Sequence, residues 1–484
     1  MDLPQDSFFL DPSFEGSLQA QIRQLIAQAV LSGQARVGDR LPSSRGLARH
    51  LSISRLTVTL AYQEMVAEGY LEGRGRSGYY VADTAPVPEL TAQGPASRSE
   101  VDWSHHLPQD TTPLGFVEKE PNWRSFPYPF VYGQADPTLF NHSAWRACAH
   151  EALGLRDIDS LTSDYAARDD AQLIDFIVRQ TLPRRGIAAT PEEILITAGA
   201  QNALWLVANL LHSSDAMAVV ENPGYPGLRA ILQRLKTPLV PVDVDEGGVS
   251  PEAIPPQATA VYVTPSHQAP TTVTMPMARR RALLERASRD DFLLVEDDYE
   301  FEMSYAAPPT PALKSIDTKG RVIYVGSFSK SLFPGLRLGY LVAPKPVIEA
   351  ARDLRSVTLR HLPGHIQRTT AYFLARGHYD ALIRRLRETY AARRATMAAE
   401  IARVGLRMAQ HPGTGGTSFW MHAKDGTDTR VLAKTLREQG VLIEPGAPFF
   451  FEDAGRCPYY RLAYSSVQNA QIGTGLRKIA DALR

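Results

Sequence analysis

Apolar residues at Ile22, Leu25, Ile26, Ala29 and Val30 recur at the spacing of one helix face, and the run 18–31 stops at Ser32-Gly33. The segment 37–42 breaks that pattern. Ser43-Ser44 then caps a short helix through Leu51, and the serines of 52–54 cap another over 55–68. Residues 69–81 read as two short strands joined by a Gly-rich turn. Three helices and a hairpin predict a winged helix-turn-helix. From Thr84 to about Ser99 the chain turns to Pro, Ala, Thr, Ser and Gln without apolar periodicity, which predicts an exposed linker. Beyond it, strand-like runs at 194–197, 216–220, 260–264, 292–296 and 321–325 alternate with helical segments. That alternation predicts a mostly parallel sheet flanked by helices, with ligands at the strand C-terminal ends. A long helix around 379–404 precedes a smaller mixed subdomain.

At 484 residues the chain suggests two to four folded units. Its 44% apolar and 21% charged residues are those of a globular protein, and no apolar run approaches the roughly 18 residues that cross a bilayer. The first residues carry no signal-peptide pattern, and only Cys148 and Cys457 occur, so the cytoplasm is the expected compartment. Lys plus Arg equal Asp plus Glu at 52 each, so any case for nucleic acid must come from a local patch. No metal site is expected.

Candidate chemistry concentrates at the strand ends. Ser327-Phe-Ser-Lys330 follows an apolar run, with Arg337 seven residues beyond the Lys. One amine among several phosphate donors is what pyridoxal 5′-phosphate (PLP) requires. Lys330 is the Schiff-base candidate, and Ser327, Ser329 and Arg337 form a phosphate cup. Asp297 is placed to keep a ring nitrogen protonated, and Tyr299, two residues on, to donate to the ring oxygen. The small-residue turn with Gly199, Ala200 and Gln201 opens a helix, where backbone amides meet phosphate. Tyr225 is a candidate to stack on the ring. His267 is read about evenly as a packing residue or a cofactor contact. Arg461 is the candidate for an acidic ligand group.

In the head, every basic residue between Gln19 and Tyr80 is Arg. Its planar fork suits phosphates and guanine edges. Charge alone would fit an ordinary solvated surface as well. Yet Arg40-Leu-Pro-Ser-Ser-Arg45, then Ser52-Ile-Ser54-Arg55-Leu-Thr57-Val-Thr59, then Glu68-Gly-Tyr-Leu and Arg76-Ser-Gly78 resemble the GntR family of bacterial regulators. That resemblance implies DNA contacts from Arg45, Ser54, Arg55, Thr57, Arg74, Arg76 and Gly78, with Ser54, Arg55 and Thr57 in the major groove.

The order of motifs from about Phe130 to the C-terminus resembles fold-type I aminotransferases. Joined to a GntR-like head, it resembles the MocR subfamily of transcription regulators. The resemblance implies a winged helix-turn-helix (α+β) over 1–83, a linker over 84–108, and over 109–484 an α/β PLP-binding effector domain with a smaller C-terminal α+β subdomain. It further implies that Tyr165 reaches the neighbouring subunit's phosphate in a head-to-tail homodimer on double-stranded operator DNA. Three places depart from the pattern. Ala269 precedes Pro270-Thr-Thr where aminotransferases place Asn, leaving His267 or Gln268 for its ring-oxygen contact; the Tyr165 loop lacks the usual Gly and Pro; and Gly227 stands where the γ-aminobutyrate sensor has Arg.

The expected function is a PLP-dependent transcription regulator that senses an amino acid or amino-sulfonate effector through external aldimine formation at Lys330. Phrases such as His267-Gln-Ala-Pro-Thr-Thr-Val-Thr-Met and Glu296-Asp-Asp-Tyr-Glu-Phe-Glu resemble regulators of taurine or ectoine-derivative catabolism. The alternatives are a working aminotransferase with an accessory DNA-binding domain, or a scaffold that keeps PLP for stability alone.

Overall fold

Ser17, Ser43 and Ser54 each accept a hydrogen bond of 3.1 Å from a backbone amide two or three residues on, and each starts a helix. In the computed structural model these helices are α1 (Leu18–Leu31), α2 (Ser44–His50) and α3 (Arg55–Ala67). The structure describes residues 3–86, 101–106, 117, 119–134, 136–158, 162–164, 168–212, 216–305, 307–308, 310–411, 413, 415–452 and 455–484. Val58, Ala61, Tyr62 and Met65 form the buried face of α3, in one core with Ile22, Ile26 and Val30 of α1. Gly69, at φ +78°, turns the chain out of α3 into the antiparallel hairpin of β1 (Leu71–Gly73) and β2 (Tyr79–Val81). This is the winged helix-turn-helix that the spacing predicts.

Two compact units divide the chain, Met1–Gln109 and Asp110–Arg484. The second begins with β3 (Tyr128–Pro129) and is built on an eight-stranded sheet of β4 (Ile194–Thr197), β5 (Ala218–Asn222), β6 (Leu239–Asp245), β7 (Gly248–Val249), β8 (Ala260–Val263), β9 (Leu293–Asp298), β10 (Val322–Ser327) and β11 (Gly339–Val342). Their order is β4-β11-β10-β9-β8-β5-β6-β7, with β5, β6, β8, β9 and β10 parallel and β11 antiparallel to both its neighbours. Alternate residues face opposite layers. On β10, Ile323 and Val325 pack with Leu204 and Val207 of the helix Ala200–Leu211, whereas Val322 packs with Leu283 and Ala287 of the helix Met277–Asp290. Burial on both faces explains the near-continuous apolar runs of these strands.

Beyond the 27-residue helix His378–Val404, an antiparallel sheet in the order β12 (Arg407–Met408), β13 (Ser418–His422), β16 (Tyr459–Ala463), β15 (Glu444–Pro445) forms the smaller subdomain. Between Gly440 and β15, β14 (Val441–Leu442) pairs with β3, so the chain around Tyr132 and Gly133 is joined to this subdomain. The sheet order gathers the site. The carboxyl ends of β4, β5, β8, β9 and β10 and the amino end of antiparallel β11 share one edge, where ligands bind in open α/β sheets.

Candidate functional site

Three consecutive acids on β9 have different fates because side chains alternate across a strand. Glu296 accepts the amides of Leu313 and Lys314, both at 2.8 Å, and stands 4.0 Å from the Arg280 guanidinium. Asp298 takes 2.7 Å from Arg185 Nε and 2.9 Å from the Tyr324 hydroxyl, and Arg185 holds its carboxyl below the usual range. Asp297 faces the other way, into a cavity of about 380 Å³, and its Oδ1 is buried without a hydrogen-bond partner. Burial first, then the charges of Asp298 and Glu221, push its pKa up to about 7.

The same cavity is lined by Ala200, Gln201, Tyr225, Tyr299, Ser327, Ser329, Lys330, Arg337 and Arg461, drawn from several strand ends and the smaller subdomain. Lys330 Nζ lies 4.3 Å from the centroid of the Tyr132 ring, and the Arg461 guanidinium carbon lies 3.9 Å from that centroid. Phe449 is a second aromatic face for Arg461, at 4.7 Å. Burial and the Lys119 charge bring the Lys330 amine down to about 7. Arg461 donates from Nε to Glu444 at 2.7 Å.

At the other side of the cavity the backbone makes an anion cradle. Gly199, at φ +81°, precedes the twelve-residue helix Ala200–Leu211. A Cβ on Gly199 would stand 3.1 Å from Arg337 Nη2, so glycine lets the guanidinium lie against the turn. Arg337 itself holds a left-handed backbone, φ +50°, which is uncommon for a side chain of this size and aims it back at that turn. Ser327 Oγ accepts the Ser329 amide at 3.2 Å, and Ser329 Oγ is buried with no partner.

His267 and Gln268, the expected replacements for the missing Asn, do not line the cavity; Ala269 does. The His267 ring is buried behind the site, where a Cβ on Gly415 would stand 2.8 Å from Nε2, and burial brings its pKa down to about 4. Only its carbonyl engages Tyr299, accepting the hydroxyl at 2.8 Å. Gln268 is consumed by Glu221, Pro223, Ala269 and Thr271. Tyr225 donates to Gln201 Oε1 at 2.5 Å, and a Cβ on Gly227 would meet both partners at 2.6 Å. Tyr165 lies outside the described residues. Tyr132, Lys119, Gly133 and Phe449 also line the cavity and carried no local signal.

In the head, Arg45, Ser54, Arg55 and Arg74 are exposed, and Thr57 lies on the same first turn of α3. Ser54 serves as the cap of α3, and Arg55 donates to Ser44 at 3.4 Å. Arg74 packs over Tyr80 at 4.5 Å and pairs with Glu72, while Gly78, at φ +114°, shapes the wing beside Arg40. Arg76 belongs to the short turn Gly75–Ser77 between the wing strands. Glu64 and Glu68 are turned onto Arg23 of α1, so they do not front the start of α3.

Residues 161–479 match the model of aminotransferase class I and II, and residues 18–81 that of bacterial regulatory proteins, gntR family. The chain is 50% identical to the HTH-type transcriptional regulator TauR of Rhodobacter capsulatus over all of both chains. It is 29% identical to the probable rhizopine catabolism regulatory protein MocR of Rhizobium meliloti, over 98% of this chain and 95% of that one. Among solved structures, LysN, the α-aminoadipate aminotransferase of Thermus thermophilus complexed with N-(5′-phosphopyridoxyl)-L-leucine, superposes with a TM-score of 0.69 at 25% identity, over 79% of this chain and 98% of that one.

The cofactor that this fold and class carry is pyridoxal 5′-phosphate. The cavity fits it: the two buried orphan atoms, Asp297 Oδ1 and Ser329 Oγ, are a carboxylate and a hydroxyl that await a ring nitrogen and a phosphate. Among the described residues no cluster of His, Cys, Asp or Glu is placed to hold a metal, and no helix is long and apolar enough to cross a membrane.

Proposed function

The chain belongs to the MocR subfamily of GntR-family transcription regulators, a winged helix-turn-helix joined to an aminotransferase-like domain, and on that premise we propose that its effector is an amino acid or aminosulfonate captured at Lys330. The observation that carries the reading is the convergence of the Lys330 amine and the Arg461 guanidinium on one aromatic ring, Tyr132, inside a single cavity. PLP, when bound, supplies an aldehyde for which Lys330 and the effector's amine compete. Lys330, brought down to about pKa 7, offers a neutral amine at neutral pH. Asp297 would pair with the ring nitrogen, Tyr299 would sit beside the ring oxygen, and Tyr225 would stack. Ser327, Ser329, Arg337 and the amides of Gly199, Ala200 and Gln201 would hold the phosphate. Arg461 would hold the effector's acid group.

The head binds operator DNA, and we assign its contacts to Arg45, Ser54, Arg55, Thr57 and the wing from Arg74 through Arg76 to Gly78. The reading includes a head over 1–83, a linker over 84–108 and an effector domain over 109–484, in a cytoplasmic head-to-tail homodimer whose two heads read two half-sites. The effector acts by favouring one arrangement of the heads, since equal affinity for both arrangements shifts nothing. The reading extends to control of the catabolism of taurine or a related amino compound, which the resemblance of the phrases around His267 and Glu296 and the full-length likeness to TauR support. A working aminotransferase is the second reading, favoured by Lys330 and Asp297 lining one cavity. Absorbance titration of the PLP-loaded protein with candidate amines, with and without a keto acid, separates the two. A saturable shift without turnover supports the sensor, and efficient multiple turnover supports the enzyme.

A further inference from the structure

We propose that Lys119 is a second acid-binding residue of the effector pocket, which with Arg461 selects a short amine bearing a sulfonate over its carboxylate counterpart. The proposal rests on the reading of the cavity as an effector pocket. Lys119 lines that cavity with Lys330 and Arg461 and, among the described residues, has neither a hydrogen bond nor an ion pair of its own. Its neighbour Glu120 accepts Arg437 Nε at 2.6 Å, which ties this stretch to the helix Thr429–Glu438. The amine is thus presented by an anchored segment.

Gly133 measures how close the two amines come. A Cβ at that position would lie 2.4 Å from Lys330 Nζ and 3.3 Å from Lys119 Nζ, so glycine is what allows both to approach one point. Lys330, Lys119 and Arg461 therefore line one cavity together with Asp297, and Glu444 keeps its Oε1 without a hydrogen-bond partner. Glu444 takes Arg461 Nε, and Glu300 accepts Thr417 and the Tyr132 hydroxyl.

Counting donors decides which anion. Arg461 has Nε committed to Glu444 and, among the described residues, both terminal nitrogens free of protein hydrogen bonds, so its fork takes two acid oxygens. A carboxylate is then fully used. A sulfonate keeps a third oxygen, and Lys119 is the unpartnered donor on the same cavity wall. Ala269, standing where related enzymes have Asn, supplies no competing side-chain donor. The spacer must be short, because the Lys330 amine and the Arg461 guanidinium lie 4.3 and 3.9 Å from the same Tyr132 centroid.

The test is absorbance titration of PLP-loaded, full-length protein with 2-aminoethanesulfonate and with 3-aminopropanoate, comparing wild type, Lys119→Met and Lys119→Arg. The wild type should prefer the sulfonate. Lys119→Met should weaken sulfonate binding roughly tenfold or more, the range of one charge-assisted hydrogen bond, while shifting the carboxylate much less; Lys119→Arg should restore most of the preference. Circular dichroism should match wild type in both variants, because Lys119 is exposed and outside the core. Unchanged sulfonate affinity in Lys119→Met overturns the proposal. An equal loss for both ligands also overturns it, because Lys119 would then only tune Lys330. A wild type that responds to no amine overturns the effector reading itself.

Discussion

The amine of Lys330 lies over the face of Tyr132, 4.3 Å from the ring centroid. Arg461 uses the same ring, and the Tyr132 hydroxyl donates to Glu300 at 3.2 Å, so one buried tyrosine orients both ends of the proposed effector site. Tyr132→Ala removes the face and should weaken effector binding by roughly 2- to 30-fold, the span of a partly desolvated cation–π contact. Tyr132→Phe keeps the face and should bind nearly as wild type. Absorbance titration checks both, and an equal loss in the two variants would assign the effect to the hydroxyl.

With its amine brought down to about 7, roughly half of Lys330 is neutral at pH 7, against roughly one part in a few thousand for an ordinary lysine. Only the neutral amine attacks an aldehyde. The rate of PLP capture by cofactor-free protein should therefore rise with pH to a plateau with a midpoint near 7. A rate still climbing steeply above pH 9 would contradict the depressed amine.

Asp297 shifts in the opposite sense. Its pKa rises from 3.8 to about 7 in the folded, cofactor-free protein, so between those values the folded state holds a proton that the unfolded state has lost. Its contribution to stability is full below pH 3.8 and is lost as pH rises through 7, by up to about 4 kcal/mol on linkage grounds. Glu221 and Glu302, also raised to about 7, act in the same direction. The difference in thermal midpoint between wild type and Asp297→Asn should therefore widen in the variant's favour from pH 4 to pH 7. A constant difference would mean that Asp297 is already ionised at the acid end.

Much of this site was legible because each element announces itself locally. Lys330, Asp297, Tyr225 and the Gly199 turn stand beside apolar runs that become strands, and the parallel sheet brings those strand ends together. Tyr132, Lys119 and Phe449 escaped because no local pattern marks them: β3, paired to β14, brings the Tyr132 stretch beside the smaller subdomain. His267 was ambiguous for the same reason. Its loop is local, but its ring packs close against Gly415, more than a hundred residues away. The alternation of fates along Glu296, Asp297 and Asp298 follows from strand geometry, yet the buried partners Arg280 and Arg185 are visible only in three dimensions.

In the head, Arg55 is exposed at the first turn of α3, and among the described residues its side chain makes only a long 3.4 Å hydrogen bond, to Ser44. Arg55→Ala should weaken binding to an operator fragment by about 1–3 kcal/mol, measured by fluorescence anisotropy at fixed salt. The buried face of Val58, Ala61, Tyr62 and Met65 is untouched, so the melting of the head should not change. Unaltered affinity would remove Arg55 from the DNA contacts.

On the proposed reading, the DNA-binding heads respond to displacement of the Lys330 amine from PLP by an effector amine. The most direct measurement is operator affinity of PLP-loaded wild type and Lys330→Ala, each with and without saturating 2-aminoethanesulfonate. Affinity should change with effector for the wild type and stay the same for Lys330→Ala. The same change in both proteins would contradict that reading.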